Sequence, residues 1–330
     1  MTGSAAAPSV HVIVLNWRTP EMSLEAADAA MREMQGLDGG LTIVDNDSGD
    51  GSFETLRQAA QARGWLDGGR VAVVQSGWNG GFGAGNNCIR QNLPDGRRAD
   101  LVYLLNSDAL PQPGAIRALV DYLATHPKAG IACSRLRGTD DVPHSTAFRF
   151  PSVASEFEAT SRTGPISRLL RGSIVALPQP VTSGRVDWSA GASMLIRMDV
   201  LDQVGLFDEG FFLYFEETDL CRRAANAGWE THYVVESLVL HIGSVSTGMK
   251  TWKRAPDYWY DSRRRYFEKH HGRMGALGAT AAHLGGAGIF RLRCLLARRK
   301  PDTPPGHFGY LTRHALRLQP RPVHVEKGKP

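Results

Sequence analysis

Residues 101–109 read LVYLLNSDA: an apolar run that passes directly into Asn106-Ser107-Asp108. A short β-rich apolar run bounded by turn residues predicts a buried strand. The carboxyl end of such a strand, if it lies in an open parallel sheet, is where ligands bind. Working outward, the same pattern recurs at VHVIVL (10–15), LTIV (41–44), VAVVQ (71–75) and residues 129–133. Between these runs lie helix-compatible segments. Residues 20–35 open with Thr19-Pro20-Glu21, a cap followed by proline. Residues 52–63 follow Ser52, a plausible cap, and residues 114–125 form a third segment. Strand and helix alternate, which predicts a parallel sheet with helices on both faces.

Residues 135–185 break the rhythm. They are rich in Gly, Pro, Ser and Arg with weak periodicity, and predict a long, irregular, partly mobile insertion. Regular structure is expected again at SMLI (193–196), a helix at 215–227, a strand within 231–242 and an aromatic, Arg-rich helix at 257–271. Residues 274–299 begin small and Gly-rich and end amphipathic and basic.

The 330 residues suit one large domain or two ordinary ones, and 42% hydrophobic with 22% charged residues excludes disordered and fibrous classes. The net charge of +5 conceals an asymmetry: residues 1–249 carry 20 Lys+Arg against 28 Asp+Glu, and residues 250–330 carry 18 against 5. A basic tail on an acidic body points to an anionic partner, unless it is simply a solvated tail. Four cysteines at 88, 133, 221 and 294 form no C-x-x-C pair, which favours a reducing compartment. The N-terminus lacks a cationic region and a long apolar run, so no signal peptide is expected. No uncharged apolar stretch reaches the ~18 residues of a membrane span.

Polar clusters follow four of the strands: Asn16-Trp17-Arg18, Asp45 to Ser52, the turn GWNGGFGAGNN (77–87) and Asn106-Ser107-Asp108. Each alone suits any turn, but four at successive strand ends suggest one rim. The Gly-rich turn matches neither the Walker motif nor G-x-G-x-x-G, which weakens a P-loop ATPase or a classical dehydrogenase. Asp108 is placed to hold a hard divalent cation against a diphosphate, or else to cap a helix. Glu216, Glu217 and Asp219 stand beside Phe211, Phe212, Tyr214 and Phe215. They either complement a helix dipole, with Asp219 paired to Arg222 or Arg223, or supply a general base whose pKa the apolar neighbours raise. His241 ends VVESLVLHI and is a metal ligand only if its strand reaches Asp108.

Together these stretches resemble a family 2 glycosyltransferase of the GT-A fold, with bacterial rhamnosyltransferases the nearest likeness. The matching segments are VIVLNW (12–17), VDNDSGDGS (44–52), NGGFGAGNN (79–87), YLLNSDA (103–109), residues 191–229 and HIGSVSTG (241–248). The resemblance implies an α/β, Rossmann-like mixed sheet flanked by helices over residues 1–250, and a basic helical C-terminal extension over 251–330. It implies that Asp45 reads the nucleotide base with Asn16 and Asp47 near the nucleoside. Asn79, Gly81, Phe82, Asn86, Asn106 and Ser107 would line the nucleotide-sugar pocket. Asp108, with His241, would hold Mg2+ or Mn2+; Asn106 stands where the family's first Asp lies, which removes one charge. Glu217 would be the catalytic base, with Glu216 and Asp219 as alternatives, and Trp188, Gly191 and Ala192 would border sugar and acceptor.

The implied reaction is an inverting single displacement that moves a sugar, L-rhamnose from dTDP-L-rhamnose, to a hydroxyl of a glycan or lipid-linked saccharide in cell-surface polysaccharide synthesis. Arg263, Arg264 and Arg265, with Tyr258, Trp259 and Tyr260, would stand near an acceptor diphosphate. IFRLRCLLARR (289–299) would lie in an anionic membrane surface on the cytoplasmic face, or pack as a dimer helix. The competing classes are a sugar-1-phosphate nucleotidyltransferase, which lacks its usual basic Gly-rich loop here, and a non-catalytic nucleotide-sugar-binding module. A nucleic-acid partner is not expected, because the basic tail carries no reading motif.

Overall fold

A computed structural model describes residues 7–87, 93–243, 255–301 and 307–316. Cys88, residues 244–248 of the HIGSVSTG stretch and the tail beyond 316 lie outside the described residues. The strands are β1 (Val10–Asn16), β2 (Gly39–Asp45), β3 (Val71–Gln75), β4 (Leu101–Asn106), β5 (Ala109–Pro111), β6 (Ala129–Arg137), β7 (Ala147–Phe148), β8 (Gly184–Val186), β9 (Trp188–Ser189), β10 (Ser193–Arg197) and β11 (Glu230–His241). The helices are α1 (Pro20–Glu33), α2 (Ser52–Ala62), α3 (Gly81–Asn86), α4 (Ala115–Thr125), α5 (Val153–Ser161), α6 (Gly164–Leu169), α7 (Met198–Val204), α8 (Glu216–Asn226), α9 (Asp257–Leu296) and α10 (His307–Ala315).

The main sheet runs β3-β2-β1-β4-β10-β6-β11-β5, with β8 added beside β11. Strands β1 to β4 pair in parallel, as the alternation predicts. The sheet as a whole is mixed, because β10 lies antiparallel between β4 and β6. That is the GT-A arrangement that the resemblance implies. Reversal of β10 brings its amino end, and with it Ala192, to the rim where the parallel strands end. Period-2 alternation splits each strand between two cores. Leu101, Tyr103 and Leu105 pack towards α1, α2 and α4, while Val102 and Leu104 pack towards α7 and α8.

Register carries the site. Asn16 pairs with Asp45 and Asp45 with Gln75, so these three polar strand ends share one row, and Asn106, paired with Leu15, ends its strand one residue behind them. On the far side, His241 pairs with Ala109, which sets it beside Asp108.

The segment 135–185 is corrected: it is folded. Strand β6 continues to Arg137, and α5 and α6 follow. Ser152 and Ser155 form a reciprocal capping box that starts α5. The periodicity is weak because α5 has only a narrow apolar face, and α9 covers it at short range. A β-carbon on Gly286 of α9 would fall 2.5 Å from the Phe157 carbonyl, so glycine is what permits this approach. A smaller correction concerns α2, where Gly51 (φ 87°) caps the helix and Ser52 is its first residue. Helix α9 runs through the expected 257–271 and 274–299 segments with a kink at Gly272 (φ 71°, ψ 171°). Its first half packs against the body. Tyr266 and Phe267 are buried in a cluster with Phe211 and Phe215 of the body. Among the described residues, no helix is long and apolar enough to cross a membrane.

Candidate active site

A cavity of about 780 Å³ opens at the carboxyl rim of the sheet. This is within the range of ligand pockets. Its floor is the end of β4, where Asn106, Ser107 and Asp108 all line it. Asn79, Gly81 and Phe82 form one side, His241 and Gly243 another, and Gly191, Ala192, Glu216 and Glu217 a third. The pocket residues expected from sequence at 79, 81, 82, 106, 107, 108, 191, 192, 216, 217 and 241 therefore meet in one space.

Asp108 is buried, with Oδ1 3.2 Å from Nε2 of His241 and Oδ2 accepting from the Gly243 amide at 3.1 Å. Burial works to raise its carboxyl pKa, but the His241 hydrogen bond and charge outweigh it and hold the group below the ordinary range. One carboxylate oxygen and one imidazole nitrogen, side by side and facing the cavity, are a fitting partial donor set for Mn2+ or Mg2+. Among the described residues, no group of three or more His, Cys, Asp or Glu side chains converges as a metal site. A cation here would therefore complete its shell with phosphate oxygens and water.

Glu217 begins the opposite wall. The chain reaches α8 through Tyr214 (φ 67°) and Phe215 (φ 69°), two consecutive non-glycine residues in the left-handed region. Such backbone is costly and concentrates at functional sites. Phe215 caps the helix, and the two glutamates occupy its first turn. Burial pushes the Glu217 carboxyl up to about 7, although amide hydrogen bonds at Glu217, Gly191 and Thr218 pull the other way. Gly191 sits between Glu217 and Phe82: a β-carbon there would lie 3.1 Å from the Phe82 ring and 3.8 Å from the Glu217 Cβ.

Several expected contacts are not in the cavity wall. Asp45 is buried behind it, its Oδ1 accepting from Asn16 Nδ2 at 2.7 Å and from Ser48 Oγ at 2.6 Å. Asn16 in turn accepts from Ser23. These residues tie the two loops that present Trp17 and Asn46, because their side chains are consumed by each other. Asp47 adopts φ 54° in the same loop. Asn86 donates to the Phe82 carbonyl within α3. Trp188 stacks on Phe148 and donates to the Arg149 carbonyl.

Asp219 is corrected as a base candidate. It is fully buried and bound by Arg223 at 2.8 Å, Lys269 and His270, which together outweigh burial and lower its pKa. Arg263 and Arg264 are corrected as acceptor contacts. Arg263 is 3% exposed and paired with Glu156 at 2.9 Å, while Arg264 pairs with Glu268. Arg265 pairs with Asp208. A triple-arginine run on a helix points in three directions, and here each guanidinium meets a different carboxylate.

The structure adds wall residues that sequence reasoning missed. Asn46 donates to Asn79 Oδ1 and to the Gly81 carbonyl, both at 3.1 Å, while its own Oδ1 is buried without a partner. Its position inside VDNDSGDGS was the available signal. His144, Ser145 and Thr146 come from the segment read as irregular. Phe212 and Tyr214, expected beside the glutamates, and Tyr258 of α9, expected on the acceptor side, close the outer side. The Tyr214 and Tyr258 rings lie nearly parallel with centroids 6.4 Å apart.

The family model described as Glycosyltransferase like family 2 matches residues 7–247. An N-acetylglucosaminyl-diphospho-decaprenol L-rhamnosyltransferase of Mycobacterium tuberculosis is 31% identical over 232 residues, 62% of this chain and 67% of that protein. A structure of GalNAc-T7 with UDP, GalNAc and Mn2+ superposes with a TM-score of 0.56 at 13% identity, covering 94% of this chain and 57% of that one. The mannosyltransferase PcManGT from Pyrobaculum calidifontis, in complex with GDP-Man and Mn2+, gives 0.53 at 17% identity, covering 94% and 87%. The chain thus spans little more than half of GalNAc-T7, and these structures bear on the fold alone.

Proposed function

Because this chain belongs to glycosyltransferase family 2, we propose that it is an inverting transferase that moves L-rhamnose from dTDP-L-rhamnose to a hydroxyl of a lipid-linked saccharide. The observation that carries the reading is that Asp108 and Glu217 line one cavity. The mycobacterial relative is an N-acetylglucosaminyl-diphospho-decaprenol L-rhamnosyltransferase, which supports both sugar and acceptor.

In this reading the diphosphate lies against the end of β4. Asp108 and His241 would hold a divalent cation, Mg2+ or Mn2+, which when bound supplies charge to stabilise the departing nucleoside diphosphate. Glu217 accepts the proton of the acceptor hydroxyl, whose oxygen attacks the anomeric carbon from the face opposite the leaving group. The carbon–oxygen bond to the diphosphate breaks as the new one forms, so a single displacement inverts that centre. A carboxyl held near 7 by burial is matched to proton transfer at neutral pH. Gly191 and Phe82 hold the sugar between the two, and Tyr214 and Tyr258 form the acceptor side.

The second half of α9 belongs to the same reading as a peripheral anchor on the cytoplasmic leaflet. The test is a panel of nucleotide-sugars with a saccharide acceptor and Mn2+ or Mg2+, with nucleoside diphosphate and product anomer read by mass spectrometry and NMR. Release of dTDP with an inverted linkage is the expected result. A retained anomeric configuration, or transfer from every other donor but this one, overturns the mechanism or the sugar.

A further inference from the structure

Two adjacent carboxylates, Glu216 and Glu217, enter one cavity, and each has an Oε2 that is buried without a hydrogen-bond partner. Glu216 is 3% exposed. Neither has a counter-ion among the described residues. The nearby cations are committed elsewhere: Arg223, Lys269 and His270 converge on Asp219, and Arg222 lies over the Phe150 ring at 4.8 Å. Near Glu217 are Cys133 and Cys221, both buried thiols whose pKa burial raises. Gly83 of α3 covers Glu216: a β-carbon there would lie 3.7 Å from the Glu216 Cβ. The wall that faces Glu216 from α3 is therefore uncharged, and the charge beside it is Glu217 itself.

In the enzyme free of metal and substrate, two buried like charges cannot both persist in a low dielectric. One of the pair must carry a proton. Burial comes first and the Glu217 charge second in pushing the Glu216 carboxyl well above its ordinary range, whereas Glu217 accepts hydrogen bonds from the Gly191 and Thr218 amides, which favour its ionised form. We propose that Glu216 is held as a neutral carboxylic acid that donates a hydrogen bond to an oxygen of the donor's sugar, leaving Glu217 as the base of the pair. A neutral acid offers one O–H donor and a carbonyl acceptor, which suits a hydroxyl or ring oxygen rather than a phosphate. The two glutamates then have separate duties: one recognises the donor, the other receives the acceptor's proton.

This assignment rests on the proposed transfer reaction for its ligand, but not for its protonation state, so the two fail separately. An infrared difference spectrum of the ligand-free enzyme against E216Q at pH 7 should show a protonated-carboxyl C=O stretch lost in the variant. Loss of an ionised-carboxylate band instead overturns the proposal. In the pH profile of kcat/KM, E216Q should leave the acid limb where it is, because it replaces one neutral group by another. A downward shift of that limb would mean that a negative charge had been removed, and would also overturn it. E216L should raise the donor KM about tenfold beyond E216Q, since leucine cannot donate. Equal KM values would remove the hydrogen bond to the sugar. Thermal unfolding of each variant accompanies these measurements, and the infrared result stands whether or not Glu217 proves to be the base.

Discussion

Nε2 of His241 lies 3.2 Å from Oδ1 of Asp108, and the antiparallel pairing of β11 with β5 is what puts it there. A carboxylate alone at the end of β4 is ambiguous between cap and ligand. With an imidazole delivered by a second strand, the pair fits the partial cation site of the proposed reaction. Chelation by EDTA should abolish transfer, and Mn2+ or Mg2+ should restore it. Asp108→Ala should lower kcat/KM by ~10² or more, about 2.7 kcal/mol at the transition state. His241→Ala should cost less, because the charge remains. Full activity in EDTA-treated enzyme would remove the cation from the reaction.

The base assignment predicts a division between binding and turnover. Glu217→Gln keeps the shape and removes the proton acceptor. Turnover should fall by at least ~10², while calorimetric titration with the nucleotide diphosphate should give a similar affinity. A variant that turns over normally would move the base to another group in the wall.

The raised Glu217 pKa has a sign that can be checked in two ways. The base works when deprotonated, so kcat/KM should rise with pH through about 7 and level off above it. Stability runs the other way. A carboxyl whose pKa is raised on folding favours the folded state below its unfolded pKa, and that contribution is lost as pH rises through about 7. Glu217→Gln should therefore raise Tm more at pH 8 than at pH 5. An equal change at both would show that the group titrates normally.

Arg263 and Glu156 make the corresponding prediction for the fold. Glu156 lies between Arg263 and His283, at 2.9 and 2.7 Å, and Arg263 also donates to Thr280. Burial is outweighed there, and the Glu156 carboxyl is held below its ordinary range. Removing one partner of a buried pair leaves the other charge uncompensated and costs ~3–5 kcal/mol. Arg263→Ala should lower the unfolding free energy by that amount, while the acceptor KM of the folded enzyme stays unchanged. A selective rise in acceptor KM would return Arg263 to the pocket.

What was legible in the sequence follows from what is local. The run 101–105 with Asn106-Ser107-Asp108, and the three strands before it, each announce themselves by period and punctuation. Parallel pairing places their ends on one rim without further information. The direction of β10 was not legible, because a single apolar strand has the same pattern whichever way it runs. Helix α5 was hidden because its stability comes from close packing on Gly286 and from Glu156–Arg263, both distant in sequence. The same reason misplaced Arg263 and Asp219. A charged side chain reads as available until the counter-charge that buries it is seen.

The second half of α9 supports the last prediction. Leu292, Leu295 and Leu296 are 57%, 72% and 77% exposed, and they fall at helical spacing on one face. Arg291, Arg293, Arg298, Arg299 and Lys300 surround them, and no Asp or Glu occurs between Glu268 and Asp302. The inner face is spent on α5, where Gly286 and Ala287 are buried. Leucines left in water beside unopposed cations match an anionic lipid surface: each basic residue contributes ~1 kcal/mol near it, and each buried leucine ~1.5–3 kcal/mol. The protein should sediment with phosphatidylglycerol vesicles at low salt, more weakly at high salt, and little with phosphatidylcholine alone. Replacing Leu292, Leu295 and Leu296 with Gln should abolish sedimentation while transfer to a short soluble acceptor continues. If the wild type ignores vesicles and is instead a dimer that the same replacements dissociate, the face belongs to a second copy of the chain and the anchor is elsewhere.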